Sequence, residues 1–299
     1  FKQKTAYEIR LSLVGSEMCI RDRNGLIYYM VILSSYLISS ITYVSSRWPS
    51  NEKHKNLLYL VAIITGIIGV LAHANILFID ISKQSGLYLS LPNIVSLIGL
   101  QLAIIAVISS LNREMCGFAA GILIISSLTA LFLIWIISTV GDIQPEIKTL
   151  TWQIKTHVLS SLFAYGLLCA GAIIALFALV QDTRLREKKI SSLNSLFAPL
   201  ETTEKILFNT ASAGSVLLFI SIFSGLVFIE NLFSQHLAHK TALSITALIM
   251  FSILVYGRNF FGWRGRSAIY LYLSAFIMLA ISYFGTRFIL ENLLGRSWS

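Results

Sequence analysis

Charged residues are scarce in this sequence: they make up 12% of its 299 residues, while apolar residues make up 56%. The mean hydropathy of +0.77 lies outside the range of soluble globular domains. The sequence also lacks the alternating strands of about ten residues that a membrane β-barrel requires. A helix is then the element that can cross a bilayer with its backbone hydrogen bonds satisfied. The sequence therefore predicts an all-α, polytopic membrane protein.

The motifs of several enzyme classes are missing as well. The three cysteines, Cys19, Cys116 and Cys169, form neither a CxxC nor a CxxCH motif. The first absence excludes a dithiol redox motif, and the second excludes a site for covalent haem attachment. The sequence has no paired catalytic acid and base, no zinc signature and no phosphate-binding loop. We therefore expect that the protein is not an enzyme.

What the sequence does contain is a series of apolar runs that approach the length of a membrane span, about 20 residues. We count eight of them, near residues 25–46, 57–79, 92–111, 117–140, 156–180, 206–229, 240–257 and 267–290. No hydrophilic stretch between them is long enough for a second domain. The runs predict about eight transmembrane helices in a single domain, residues 24–292.

The first 23 residues differ from the rest. FKQKTAYEIRLSLVGSEMCIRDR resembles the translation of a sequencing adapter, and we leave it out of the fold prediction. The alternative is a polar, amphipathic N-terminal arm.

The formal net charge of +9 lies in short loops and not along an exposed stripe, which argues against a nucleic-acid partner. Lys and Arg instead indicate topology, because they are enriched in cytoplasmic loops. The even-numbered loops contain four: Lys83, Lys148, Lys155 and Lys240. The odd-numbered loops contain twelve: Arg47, Lys53, Lys55, Arg113, Arg184, Arg186, Lys188, Lys189, Lys205, Arg258, Arg264 and Arg266. The count predicts that the odd loops are cytoplasmic and that both termini are outside.

Three histidines are the most informative ionisable residues in the apolar runs. With the predicted topology, His73, His157 and His239 all fall in the outer half of the bilayer. Neutral imidazoles from two facing helices can bind one haem iron axially. The alternative is that each histidine is a polar residue near the interface, hydrogen-bonded to a backbone carbonyl or to lipid headgroups.

Longer motifs carry a resemblance to a known family. They are HVLSSLFAYGLLCAGAIIALFALVQD, FAPLETTEKILFNTASAGSVLLFISIFSGLVF, HKTALS, LVYGR, GWRGRSA and YFGTRFIL. In these motifs, which span about residues 152–290, the chain resembles the cytochrome c assembly family, in its YpjD/HemX-like branch of bacterial inner-membrane proteins. The resemblance implies an eight-helix fold in the bacterial inner membrane, haem binding and a part in cytochrome c biogenesis.

The sequence departs from this family at two places. Haem-handling members have a Trp-rich external loop before the seventh helix, and here the corresponding residues read IENLFSQHLAHKT, without tryptophan. The histidine that those members have after the next helix is also missing, since the sequence there reads YGRN.

The leading hypothesis is a membrane haem-handling or cytochrome c assembly factor, either a non-enzymatic partner or a ligase component. Haem b would be held by His73 and His157, with His239 as a secondary ligand, and the partners would be membrane lipid, haem and cytochrome c maturation proteins. A small-ion or metabolite transporter is the first alternative. A regulatory membrane scaffold that acts through its basic cytoplasmic loops, without haem, is the second.

Overall fold

A computed structural model of the protein describes residues 6–83, 86–87, 91–140, 151–188, 198–228 and 238–285. The described chain is almost entirely helical, as predicted. Its long helices are α1 (Ala6–Arg47), α2 (Lys55–Ile81), α3 (Leu91–Ser110), α4 (Cys116–Val140), α5 (Trp152–Arg186), α6 (Leu200–Phe228), α7 (Ala238–Phe261) and α8 (Arg266–Ala280).

Shorter elements connect or extend the long helices. Two 3₁₀-helices, Pro49–His54 and Arg113–Met115, lie in the turns after α1 and α3, and a π-helix, Ile281–Gly285, continues α8. Two-residue strands β1 (Ser82–Lys83) and β2 (Gly86–Leu87) pair antiparallel after α2.

Eight helices of the described chain contain a stretch long and apolar enough to cross a membrane. The prediction of eight transmembrane helices is thus confirmed. The orientation of the termini stays a prediction, and the last run ends outside the described residues, which stop at 285.

Several helices begin or end beyond the apolar runs. The fifth run covers 156–180, but α5 continues to Arg186. Arg184 and Arg186 lie in its last turn, where a positive charge interacts favourably with the helix dipole. The first helix is continuous from Ala6, so residues 6–23 are helical and lead into the span Ile27–Arg47. That these residues are not native stays a prediction.

The helices form two packed groups that share α5. One cluster of buried residues comes from α1 to α4, with Ala170 and Ile173 from α5. The other comes from α5 to α8 and has Leu168, Phe251 and Tyr272 among its fully buried side chains. Small residues permit the close contact between α5 and α6: a Cβ added at Gly214 would lie 2.5 Å from a Leu168 methyl group. Such close approach at small residues is the usual way in which membrane helices pack.

Candidate functional site

His73 lies in the first group of helices, and only 1% of its surface is exposed. Its Nε2 lies 2.8 Å from the Ser96 hydroxyl, and its Nδ1 lies 3.1 Å from the Tyr36 hydroxyl. A neutral imidazole has one donor and one acceptor nitrogen, and a hydroxyl can complement either. Both ring nitrogens of His73 are therefore occupied by hydrogen bonds.

The sequence around α2 provides the space for this arrangement. A Cβ added at Gly69 would lie 2.7 Å from two atoms of the Tyr36 ring, so a side chain there would displace the tyrosine. Gly69 precedes His73 by four residues, and the two therefore lie on the same face of α2. The glycine lets the tyrosine ring pass between α1 and α2 and reach the imidazole.

His157 lies in the second turn of α5 and has a different environment. Its Nδ1 lies 2.9 Å from the Ser221 carbonyl oxygen and 3.1 Å from the Ser224 hydroxyl, both on α6. Because a carbonyl oxygen only accepts, the hydrogen bond to Ser221 requires a proton on Nδ1. In the neutral imidazole Nε2 then carries the lone pair, and it makes no hydrogen bond to any residue in the described ranges.

This is the arrangement that orients many metal-binding histidines, in which one ring nitrogen donates to a backbone carbonyl and the other binds the metal. The same hydrogen bond is also expected if His157 is only a polar residue bonded to a backbone carbonyl, the alternative that the sequence left open. The two roles differ in whether Nε2 binds a ligand.

Gly225 determines how closely the imidazole approaches α6. A Cβ at this position would lie 2.8 Å from His157 Cε1 and 3.3 Å from its Nδ1. Ser221, Ser224 and Gly225 are spaced three and four residues apart, so they share one face of α6. The imidazole of His157 packs against this face.

A cavity of about 130 Å³ opens beside His157. One water needs roughly 10–15 Å³ by this measure, so the space is about ten times larger than a water site. Its walls are mainly apolar and come from α3, α5, α6, α7 and the π-helix that follows α8. The lining residues are Ile94, Ile98, His157, Ser161, Leu162, Tyr165, Leu218, Ser221, Ile222, Gly225, Leu226, Lys240, Thr241, Ser244 and Tyr283.

The π-helix that follows α8 shapes the polar end of this cavity. The Ser282 hydroxyl donates to the Lys240 carbonyl at 2.8 Å and lies 2.7 Å from the Ser244 hydroxyl, which ties the π-helix to α7. The next residue, Tyr283, lines the cavity with its ring centroid 4.9 Å from the Lys240 ammonium nitrogen. Single-turn π-helices occur frequently at functional sites.

Helix α3 lies between the two histidines. Ile94 and Ile98 line the His157 cavity, and Ser96, midway between them, contacts His73. At about 100° per residue, Ser96 is roughly opposite the two isoleucines on the helix. The structure therefore does not place His73 on the cavity wall, and the predicted ligand pair of His73 and His157 stays a prediction.

The third predicted residue, His239, is exposed in the first turn of α7. It directly precedes Lys240 and Thr241, which line the cavity. The loop before it, in which the family's tryptophans are missing, lies largely outside the described residues, which resume at 238.

Sequence reasoning found the histidines but missed the residues that orient them. Ser221, Ser224 and Gly225 belong to the Gly- and Ser-rich stretch ASAGSVLLFISIFSG, whose small residues permit close helix packing, and their spacing on one face was the available signal. No comparable signal marks Tyr36 or Ser96, because their role depends on which helix faces them. Within the described ranges, no group of three or more His, Cys, Asp and Glu side chains could hold a metal ion.

The fold and the cavity together define a polytopic membrane protein with an oriented histidine at an apolar cavity. The family model described as Cytochrome C assembly protein matches residues 25–294, and the chain belongs to this family. The family predicted from the motifs is thus confirmed.

Similar curated proteins have one name in three strains of Escherichia coli: Inner membrane protein YpjD, from strain K12, from O6:H1 and from O157:H7. Each is 29% identical over 230 residues, which cover 75% of this chain and 83% of the relative. No solved structure matches the chain. The relatives and the eight spans agree with the predicted location, a multi-pass protein of the bacterial inner membrane.

Proposed function

We propose that this protein binds haem b at the His157 cavity and contributes in this way to cytochrome c assembly. The observation that carries the proposal is the orientation of His157. Its Nδ1 proton is engaged by the Ser221 carbonyl, and its Nε2 has no partner within the described chain. An imidazole held in this tautomer is ready to donate its Nε2 lone pair to iron. Membership of the cytochrome c assembly family supports a role in cytochrome c biogenesis.

The chemistry of the cavity residues fits a porphyrin. Leucine and isoleucine side chains from α3, α5 and α6 form apolar walls, as ligand cavities usually have. Lys240 lines the same cavity and could pair with a carboxylate of the ligand.

The two remaining histidines are the candidates for a second ligand. His239 directly precedes Lys240, which lines the cavity. His73 would have to give up its hydrogen bonds to Tyr36 and Ser96 and pass α3. We therefore propose His157 as the principal ligand, with the second supplied by His239 or, after rearrangement, by His73.

The proposed role is non-enzymatic. Bound haem would supply a redox-active iron, and the residues of this chain would bind it, orient it and exclude water. The partners would be cytochrome c maturation proteins that deliver or receive haem. The missing tryptophans before α7 favour holding haem over presenting it to an apocytochrome.

Purification of the full chain in detergent, followed by reconstitution with haem b, tests the proposal. We expect a Soret band in the visible spectrum of the wild type and its loss in His157→Ala. His54→Ala is the matched control, because His54 is an exposed histidine in the turn after α1. Free imidazole should restore the band in His157→Gly, which a purely structural role would not explain.

A wild type without a Soret band after reconstitution would overturn haem binding. Bands of equal intensity in His157→Ala and His54→Ala would overturn the role of His157.

A further inference from the structure

The turn between α7 and α8 has a defined backbone structure. The Gly262 amide donates to the Arg258 carbonyl and the Trp263 amide to the Gly257 carbonyl, both at 3.1 Å. The first of these bonds, with the positive φ of 66° at Gly262, forms the αL capping motif at the end of α7. The backbone of the turn is therefore held by its own hydrogen bonds.

The Trp263 ring folds back onto α7. A Cβ added at Gly257 would lie 2.4 Å from this ring, so the glycine is what allows the ring to lie there. Beside the ring is a groove on the outer surface of α7, lined by Ser252, Ile253, Tyr256, Gly257, Phe261 and Trp263.

The aromatic walls of this groove are open to the surroundings of the protein. Tyr256 is 55% exposed, Phe261 69% and Trp263 42%. The groove lies at the end of a membrane span, His239–Phe261, where aromatic side chains typically occupy the headgroup level. No described part of the chain covers this groove.

Two of the three arginines in the turn are engaged within the protein. Arg258 donates to the Trp263 carbonyl at 3.0 Å, and its guanidinium lies 4.5 Å from the centre of the Phe208 ring. Arg266 pairs with Asp182, at 2.5 Å between Nε and Oδ2. These contacts tie the turn to α5 and α6.

Arg264 is different. It is exposed, and it has no hydrogen bond or ion pair with any residue in the described part of the chain. The nearby Glu204 carboxylate is engaged as well, since it accepts from the Gly265 amide at 3.0 Å. The turn thus presents one cation without a hydrogen bond or ion pair in the described chain, next in sequence to Trp263, which lines the exposed apolar groove.

We propose that this turn binds an anionic phospholipid, with the headgroup phosphate on the Arg264 guanidinium and an acyl chain along the groove. The charge of the site is complementary to an acidic headgroup, and guanidinium binds phosphate oxygens through two parallel hydrogen bonds. A zwitterionic lipid would fill the groove but leave the positive charge without a net counter-charge. The site is separate from the His157 cavity and does not depend on haem.

Native mass spectrometry of the full chain in detergent tests this site, by titration with phosphatidylglycerol and with phosphatidylcholine of the same acyl chains. We expect the wild type to prefer phosphatidylglycerol. Arg264→Gln should weaken binding of that lipid by about fivefold, the factor that one surface cation contributes. Lys53→Gln is the control, because Lys53 is an exposed cation in the turn after α1, on the side of the membrane at which α7 ends.

A second variant separates the groove from the charge. Phe261→Ala removes an exposed aromatic side chain from the wall of the groove. It should weaken the binding of both lipids by a similar factor and keep the preference for phosphatidylglycerol. Equal binding of the two lipids by the wild type would overturn the proposal. Equal losses of phosphatidylglycerol binding in Arg264→Gln and Lys53→Gln would also overturn it, since that result would indicate a general effect of surface charge.

Discussion

His73 is buried and His157 is half-buried, and their surroundings differ in which ring nitrogens they leave without a partner. The hydroxyls of Tyr36 and Ser96 complement both nitrogens of His73, whereas Ser221 and Ser224 complement only Nδ1 of His157. The first arrangement stabilises the packing of α1, α2 and α3. The second holds a side chain in one tautomer and leaves a lone pair unused.

The depth of a histidine in the membrane therefore does not by itself identify it as a metal ligand. A histidine inside a bundle is costly unless it is hydrogen-bonded, so structural and ligand-binding histidines can have the same sequence context. The number of ring nitrogens left without a partner distinguishes them. The following predictions test whether this distinction holds.

The largest expected difference is in stability. His73→Ala leaves two buried hydroxyls without their partner and opens a space in a packed region, which should cost about 3 kcal/mol of the free energy of unfolding. His157→Ala should cost only about 1 kcal/mol, because the Ser224 hydroxyl still donates to the Ser221 carbonyl and the removed side chain adds its volume to an existing cavity. Unfolding by dodecyl sulfate in mixed micelles measures both.

Equal losses of stability in these two variants would contradict the comparison. Tyr36→Phe serves as an internal control, because it removes one hydroxyl without opening a space. It should fall between the two, at about 1–2 kcal/mol.

A second prediction uses two glycines of α6. Gly225→Ala would press on His157 and Gly214→Ala on Leu168, with Cβ contacts of 2.8 and 2.5 Å. Overpacking should cost each variant about 1–3 kcal/mol. Only Gly225→Ala should also weaken haem binding, because it moves the imidazole away from the Ser221 carbonyl.

The measurement is haem titration monitored at the Soret band, alongside unfolding of the same preparations. If Gly214→Ala lost haem affinity as much as Gly225→Ala does, the effect would be one of general helix packing. The orientation of His157 would then not explain it.

The smallest expected difference concerns one hydroxyl at each histidine. Ser96→Ala removes the sole partner of His73 Nε2 in the described chain and should cost about 1–2 kcal/mol. Ser224→Ala leaves the Ser221 carbonyl in place, so its cost should stay below about 0.5 kcal/mol. Unfolding curves of the two variants, measured in parallel, check the order, and a reversed order would contradict it.

Much of the fold could be predicted from the sequence, for a simple physical reason. A charge-free run of about 20 residues has few alternatives to a membrane helix, so the eight spans could be predicted from composition. The ends of the helices could not. Helix α5 continues past the end of its apolar run and has Arg184 and Arg186 in its last turn. A helix can continue in this way because long polar side chains reach solvent from beyond the apolar layer.

The candidate site could be predicted only in part. The sequence identifies His73, His157 and His239 as unusual, but it does not show that the Ser96 face of α3 meets His73 while the Ile98 face lines the His157 cavity. That outcome depends on how the helices rotate against one another. The π-helix at Ile281–Gly285, which brings Tyr283 to the cavity, also has no sequence signature.

The most direct test of the account is the haem content per polypeptide of three variants, His157→Ala, His73→Ala and His239→Ala, reconstituted and measured side by side. The account predicts that His157→Ala loses bound haem. The other two should retain it, and at most one of them should show a shifted Soret band, which would identify the second ligand. Retention of haem by His157→Ala together with its loss from His73→Ala would contradict the account.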